Sequence, residues 1–427
     1  MKVLVVGGGG REHAILTALA RSPRKPELYC APGNGGIAAL ATCVPIAAED
    51  VQAIADYAAT AGMDFVVVAP DMPLCLGLCD LLRARGIPAF GPSGAAARIE
   101  GSKVFAKELM LRYGIPTGAS AVFTDMAQAL AYVRTAPMPT VVKADGLAYG
   151  KGVVICQTRE AAEAAVREMM EQGVFGESGR RILIEEFLTG PEVSVLAFTD
   201  GQTLAPMPSG MDHKRALDGD HGLNTGGMGV IAPNPCYPPE LAAQCMESIF
   251  LPTLYAMAAE GCPFAGCLYV GLMLTPSGPK VIEYNCRFGD PEAQAVLPLL
   301  ESDLLSILLH VSQGTLHQAD VRFSGGASCC VVLASGGYPG AFAKGMPIQG
   351  TADAAAMDGV QVFHAGTALD ASGALVTSGG RVLGVTAVRG TLQAAVDAAY
   401  AAADHISFAG MHLRRDIGAR ALAAQSC

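Results

Sequence analysis

Two carboxylates, an amide and an arginine crowd into Val281–Gln294, VIEYNCRFGDPEAQ, directly behind a strand-like run that starts at Val281 and Ile282. Alternation along a strand puts Glu283 and Asn285 on one face, about 7 Å apart. Two hard oxygen ligands at that spacing suit Mg²⁺, which takes few protein ligands and fills its octahedron with phosphate and water. Arg287, Asp290 and Glu292 follow in a turn built on Gly289 and Pro291, where a rigid loop can present them to an anionic substrate. A surface turn after an edge strand is the plainer reading. The variety of polar roles in so short a span argues against it.

Other segments carry what polyphosphate recognition needs. In Lys143–Val153, KADGLAYGKGV, a lysine ends a strand and glycines follow at 146, 150 and 152, with Lys151 between the last two. Glycine lets backbone N–H groups approach phosphate oxygens, and Lys143 and Lys151 neutralise charge. Gly150 comes one residue too early for a P-loop and no Ser or Thr follows the lysine, so a plain hairpin turn competes. In Ile182–Val195, ILIEEFLTGPEVSV, an apolar strand meets Glu185 and Glu186, then Phe187 and Leu188, then Glu192. Such a linker suits an adenine between apolar side chains, with Glu185 and Glu192 as candidates for its 6-amino and ribose contacts; acidic strand ends are also commonly just solvated. Asp212–Arg215, DHKR, and His221–Gly229, HGLNTGGMG, read as one long glycine-rich connection, structureless and hence a binding loop. Lys214 and Arg215 offer it charge, and Gly226 and Gly227 unusual backbone angles.

Near the start, Gly7–His13, GGGGREH, follows the apolar run Val3–Val6 and should open a helix whose N-terminus suits a phosphate. Glu12 stands where the dinucleotide fingerprint needs glycine, so a phosphorylated sugar fits better than NAD. His13 reads as a capping or packing residue rather than a base.

A multidomain scaffold of α/β and α+β parts must position these groups. Residues 1 to about 99 read as βαβ units on a parallel sheet, through Val3–Val6, a helix over Ala14–Ala20 and the run Phe65–Ala69. A helix with Lys103 and Lys107 leads to Ile115–Pro116. Strands at Thr140–Lys143, Val153–Cys156 and Ile182–Glu185 then alternate with helices at Asp125–Arg134 and Arg159–Gln172. A larger body runs from Leu188 to about Arg322. The remainder, with Cys329–Ala334, Arg381–Val388 and a helix over Leu392–Ala403, reads as a small C-terminal domain without a catalytic motif, expected only to support a closed site.

Composition removes several function classes. No run approaches the roughly 18 apolar residues that cross a bilayer, and the N-terminal apolar run is too short for a signal peptide, so a cytoplasmic protein without a membrane partner is expected. The 13 cysteines are scattered, odd in number and without zinc-site companions, which points to reduced thiols. A net charge of −10 and the absence of Trp argue against nucleic acid.

Taken in order and spacing, VLVVGGGGREHA, APGN at Ala31–Asn34, FGPS at Phe90–Ser93, EGSK at Glu100–Lys103, KADGLAYGKGV, IEEFL, DHKR, NTGGMG and RFGDPEAQ at Arg287–Gln294 resemble the phosphoribosylamine–glycine ligase family of the ATP-grasp superfamily, end to end. The resemblance implies an N-terminal parallel α/β substrate domain (1–100), a central ATP-grasp domain (101–116 and 188–322), a lid subdomain (117–187) and a small C-terminal domain (323–427). It implies ATP-dependent joining of glycine to 5-phospho-D-ribosylamine in purine (IMP) biosynthesis, through glycyl phosphate. ATP is then expected on Lys103, Lys143, Gly150, Lys151, Gly152, Glu185, Glu186, Leu188 and Glu192. Glycine and the sugar phosphate fall to Gly8, Gly9, Gly10, Asn34, Asp212, Lys214, Asn224, Arg287 and Asp290, and Mg²⁺ or Mn²⁺ to Glu283 and Asn285. Arg287, Lys143 and Asp212 are expected to act in catalysis, and small molecules to be the only partners of a monomer or weak homodimer. The chain departs from the family pattern at Tyr149, at Ala69–Asp71 and at Gly8. Another ATP-grasp enzyme, such as a biotin carboxylase or a purine-pathway carboxylase, competes; RFGDPEAQ and DHKR argue against it. A non-catalytic nucleotide-binding relative would have lost the lysines or metal ligands, and both are present.

Overall fold

The computed structural model of the chain describes residues 1–146, 152–171 and 179–425. Five short strands, β1 (Lys2–Gly7), β2 (Glu27–Pro32), β3 (Thr42–Cys43), β4 (Phe65–Val68) and β5 (Ala89–Phe90), form a parallel sheet in the order β3-β2-β1-β4-β5. Val3–Val6 in β1 are wholly buried, as strands covered on both faces must be, which is why the run shows no alternation. Helix α1 (Gly10–Ala20) leaves the first strand through the glycine turn.

Next in the chain, β6 (Ser120–Phe123), β7 (Thr140–Ala144), β8 (Val153–Cys156) and β9 (Ile182–Glu186) make an antiparallel sheet ordered β6-β9-β7-β8. Helices Met126–Val133 and Arg159–Met170 cover it around a separate small core that includes Val142, Val166 and Ile184. The body follows with β10 (Glu192–Thr199), β11 (Leu204–Pro206), β12 (Met211–Asp212), β13 (Arg215–Leu217), β14 (His221–Asn224), β15 (Gly229–Ala232), β16 (Gly266–Thr275) and β17 (Gly278–Asn285). One sheet runs β11-β10-β16-β17, so the strand carrying Glu283 and Asn285 is an edge and begins at Gly278, three residues before the expected start. Its free side is covered at one point, where the Thr117 hydroxyl donates to the Val281 carbonyl at 2.8 Å and the Val281 N–H to the Pro116 carbonyl at 2.8 Å.

The glycine-rich stretch after Asp212 is not structureless, which corrects the sequence reading. β13 and β14 pair as a small hairpin and β12 pairs with β15, while the Thr225 and Met228 N–H groups donate to the carbonyls of Lys214 and His213. Short strands rich in glycine satisfy their backbone groups in this way without any apolar alternation to announce them. The last strands are β18 (Ala327–Ser335), β19 (Val360–His364), β20 (Thr367–Leu369), β21 (Leu375–Thr377), β22 (Arg381–Arg389) and β23 (Met411–His412). The C-terminal sheet is ordered β12-β15-β18-β22-β19, with β23 also on β18, so two of its strands come from the central segment. Among the described residues all twelve cysteines are free thiols, and no helix is long and apolar enough to cross a membrane.

Two buried histidines tie these parts together as neutral rings. His13 in α1 accepts the His364 N–H on Nδ1 at 2.7 Å; burial, then the neighbouring His364 ring, lowers its pKa to about 3. His213 accepts the Gly418 N–H on Nε2 at 3.2 Å, and burial, then Arg414, lowers its pKa to about 4. Both folded values lie below the ordinary 6.5, so the unfolded chain binds more protons between them and stability rises with pH in that window. Unfolding free energy in urea is expected to fall by about 1.4 kcal/mol per pH unit per histidine as pH drops from 6.5 toward 4. A flat profile across that range would show that the rings are not held neutral.

Candidate active site

Lysines and a glutamate form a buried charge cluster where the lid-like sheet meets the body. Val141 on β7 pairs with Glu185 on β9, which puts Lys143 and Glu185 on the same face of adjacent strands. Glu185 accepts from Lys143 Nζ at 2.6 Å and from Lys107 Nζ at 3.1 Å. Burial alone would raise the Glu185 carboxyl; Lys143 and then Lys107 outweigh it and hold it below the usual range. Lys107 comes from the helix Lys103–Arg112 and donates also to the Thr117 hydroxyl (2.7 Å) and the Gly118 carbonyl (3.2 Å). One turn earlier, Lys103 donates to the Gly146 carbonyl at 2.7 Å. Asp145 fastens that loop to the same helix by accepting from the Val104 N–H and the Ser102 hydroxyl, each at 3.0 Å.

Glu283 and Asn285 share one face of β17. Glu283 meets Lys214 Nζ at 3.5 Å; burial would raise its carboxyl, but Lys214, Lys143, Lys103 and Arg287 bring it down to about 2. Asn285 Oδ1 accepts from Arg287 Nη2 at 3.1 Å, and the same nitrogen pairs with Glu100 at 2.7 Å. Arg287 Nε and Asp212 Oδ1 are buried without a hydrogen-bond partner among the described residues. Asp212 shares a narrow cleft with Glu192, Lys214, Tyr269 and Glu283; burial, then Glu292, pushes its carboxyl well above the usual range. Glu292, expected in the turn with Arg287 and Asp290, leaves it instead. It starts the helix Glu292–Val296 and turns inward, because a carboxylate this buried needs donors and finds them in the Tyr269 (2.7 Å) and Ser194 (3.1 Å) hydroxyls.

A second cavity, of 360 Å³, opens between the N-terminal loops, the signature turn and the C-terminal segment. Gly8, Gly9, Asn34 and Asp290 line it. Asn34 is fixed by donating to the carbonyls of Gly8 (2.9 Å) and His364 (2.8 Å). A Cβ at position 8 would lie 2.5 Å from the Gly33 carbonyl oxygen, so the approach of the two loops requires glycine there. Gly10 is not on the wall; it is buried where a Cβ would strike the Gln294 amide. The N-terminus of α1 already holds carboxylates: Glu12 accepts the Gly9 N–H at 2.6 Å and Asp290 the Arg11 N–H at 3.2 Å. The C-terminal segment does more than the support expected of it, since Gly366, Thr367, Ser378 and Arg381 complete the wall.

Other expected residues line neither cavity. Asn224 is exposed on β14 and lines neither cavity. Glu186 is exposed, accepts the Ala119 N–H at 3.0 Å and meets Lys280 at 3.4 Å, tying the lid-like sheet to β17, while Leu188 is half-buried beside Gly118. The Gly152 carbonyl accepts the Ala144 N–H at 2.9 Å and closes the β7–β8 hairpin. Gly150, Lys151 and Tyr149 lie outside the described residues.

Known proteins match this arrangement over nearly all of its length. The phosphoribosylglycinamide synthetase N domain matches residues 1–100, its ATP-grasp (A) domain residues 101–293 and its C domain residues 328–420. The chain belongs to the phosphoribosylglycinamide synthetase family. Within it, the phosphoribosylamine–glycine ligase of Rhizobium meliloti (strain 1021) is 49% identical over 426 residues, covering 100% of both chains. The crystal structure of the phosphoribosylamine–glycine ligase of Thermotoga maritima is 34% identical with a TM-score of 0.83, covering 98% of this chain and 100% of that one. A biotin carboxylase domain, that of the Hydrogenobacter thermophilus 2-oxoglutarate carboxylase, superposes with a TM-score of 0.74 at 17% identity over 96% of this chain and 91% of its own, a likeness of fold alone. The synthetase family thus accounts for the ATP-grasp architecture and makes the chain an ATP-grasp ligase of purine biosynthesis.

The sequence did not single out Glu100, Asp145 or Arg381, nor the part Lys107 plays in holding Glu185. Lys107 had a signal, its place four residues after Lys103; the partners of the others lie too far along the chain to suggest one. Replacing Glu185 with Gln leaves two buried ammonium groups without their shared anion. Glu185→Gln is expected to cost about 3–5 kcal/mol of stability and to weaken ATP binding, read by urea unfolding and by nucleotide titration. Unchanged values in both would show that the cluster does not organise the lysines.

Proposed function

We propose that the chain joins glycine to 5-phospho-D-ribosylamine through glycyl phosphate, giving N1-(5-phospho-D-ribosyl)glycinamide, ADP and phosphate. Family membership supports the overall reaction. The observation that supports the route is two buried orphan atoms, a donor at Arg287 Nε and an acceptor at Asp212 Oδ1. Free glycine carries one charge of each sign, and this pair complements it. Arg287 takes the carboxylate, and an ammonium beside Asp212 offsets the burial that raises its carboxyl.

A carboxylate does not react with an amine at neutral pH, so glycine is first phosphorylated by ATP. That step needs positioning and charge neutralisation more than covalent help. Lys103 and Lys143 face the phosphates, with Glu185 and Lys107 holding Lys143 in place, and the Glu186–Leu188 linker with Glu192 takes the nucleoside. Among the described residues no three His, Cys, Asp or Glu side chains converge on a metal position, so a protein-only cage is not what this site offers. Glu283, ionised down to about pH 2, and Asn285 give two hard oxygens, the donor set of a Mg²⁺ or Mn²⁺ that draws its other ligands from phosphate and water. When bound, such an ion screens the phosphate charge. The ribosylamine nitrogen then attacks the glycyl carbonyl and phosphate leaves. Closure of the lid subdomain, residues 117–187, over the site keeps water from the acyl phosphate, hinging at its start where Lys107 grips Thr117 and Gly118. The enzyme works in the cytoplasm as a monomer or weak dimer.

Phosphate release from ATP and Mg²⁺ is expected to require both glycine and fresh phosphoribosylamine, and glycine labelled with ¹⁸O in its carboxylate should pass one label to the released phosphate. Unlabelled phosphate would remove glycyl phosphate from the route; release supported by bicarbonate or formate would remove the substrates. Glu283→Ala is expected to lower turnover by roughly 10³-fold with an unchanged circular dichroism spectrum. Full activity in that variant would cancel the metal assignment.

A further inference from the structure

We propose that the C-terminal segment reads the phosphate of the ribosylamine: Arg381, with the Ser378 hydroxyl beside it, binds the phosphomonoester in the 360 Å³ cavity. The inference rests on the proposed reaction and on the expectation that Gly8, Gly9, Asn34 and Asp290, which line this cavity, meet the sugar phosphate.

Arg381 is the one cationic side chain on the cavity wall among the described residues. Its hydrogen bonds all use Nη1, which donates to the carbonyls of Gly226 and Asp290 at 2.7 Å, approaches that of Gly227 at 3.4 Å, and pairs with the Asp290 carboxylate at 3.3 Å. Those contacts anchor one corner of the guanidinium and leave Nε and Nη2 without a hydrogen bond among the described residues. That free edge is the planar pair of donors that matches two oxygens of a phosphate.

The alternative seat for the phosphate, the N-terminus of α1, is already taken. Its Gly9 and Arg11 N–H groups are satisfied by Glu12 and Asp290, and two carboxylates at one helix end repel a dianion. Beside Arg381 the wall is instead neutral and small. The Ser378 N–H donates to the Gly366 carbonyl at 2.7 Å, and a Cβ on Gly366 would come within 2.5 Å of the Gly379 Cα. The Ser378 hydroxyl has no partner of its own among the described residues and is free to donate into the cavity.

The test uses the full-length enzyme and ribose 5-phosphate, a stable probe that keeps the phosphate, with ribose as its uncharged counterpart. Wild type is expected to bind ribose 5-phosphate well above ribose by calorimetry. Arg381→Lys and Arg381→Gln are expected to raise the Kd for ribose 5-phosphate and the KM for phosphoribosylamine about 10–100-fold, to erase the preference over ribose, and to leave the KM for ATP and glycine within about twofold. Ser378→Ala, which removes no backbone tie, should move the same two quantities by a smaller factor. A preserved preference for ribose 5-phosphate in Arg381→Lys and Arg381→Gln, or equal losses toward all three substrates, overturns the assignment in favour of a structural role. Absence of phosphoribosylamine-dependent turnover in wild type would instead sink the reaction, and the calorimetric comparison would still decide the role of Arg381.

Discussion

A polyphosphate site must hold several cations close together before any anion arrives, and in this chain carboxylates do the holding. Glu185 serves Lys107 and Lys143, Glu283 serves Lys214, Glu100 serves Arg287 and Asp290 serves Arg381. Buried ion pairs add little net stability, because desolvation offsets most of their attraction. Their value here is positional: each cation is kept in place by an oxygen pair that resembles what a substrate brings.

That constraint explains why the cluster sits at the junction of separate sheets. No single strand can present so many like charges without neighbours repelling. The lysines therefore arrive from the helix Lys103–Arg112, from β7 and from the turn after β12, while Arg287 follows β17 and Arg381, at the start of β22, lines the second cavity. β17 is left as an edge, and its exposed backbone is capped by residues 116 and 117 at the root of the lid-like sheet. The same threonine hydroxyl that reaches Val281 receives Lys107. The charge cluster and the tie of Thr117 to β17 share one set of bonds, so the lysines stay in register with the strand that bears Glu283 and Asn285.

Much of this was legible in the residues. The apolar run Val3–Val6 announced a parallel sheet, the alternation after Val281 put Glu283 and Asn285 on one face, and the helices and strands between 125 and 186 were readable from periodicity. β2, β3 and β5 were not, since two are two-residue strands and the first mixes polar with apolar side chains. The hairpin after Asp212 was hidden by its glycines. Arg381 was invisible for a different reason: its partners lie 91 and 155 positions away, and nothing in the local string TSGGRV distinguishes a strand start from a ligand. Pairing across such distances is set by the order of strands in a sheet, which one sequence does not display. The inward turn of Glu292 likewise depends on Tyr269 and Ser194, two residues from other strands.

The interleaving of β12 and β15 with β18 and β22 makes the C-terminal segment something other than a module that can be detached. A gene cut near residue 323 would yield two polypeptides, each ending its sheet on an open ladder with Val230, Ile231 or Val331 uncovered. Each half would carry the template for the other, so the two products should recombine when made together and precipitate when made apart. Fusion partners and circular permutation points for this chain therefore belong at exposed turns such as 371–373, outside the shared ladder.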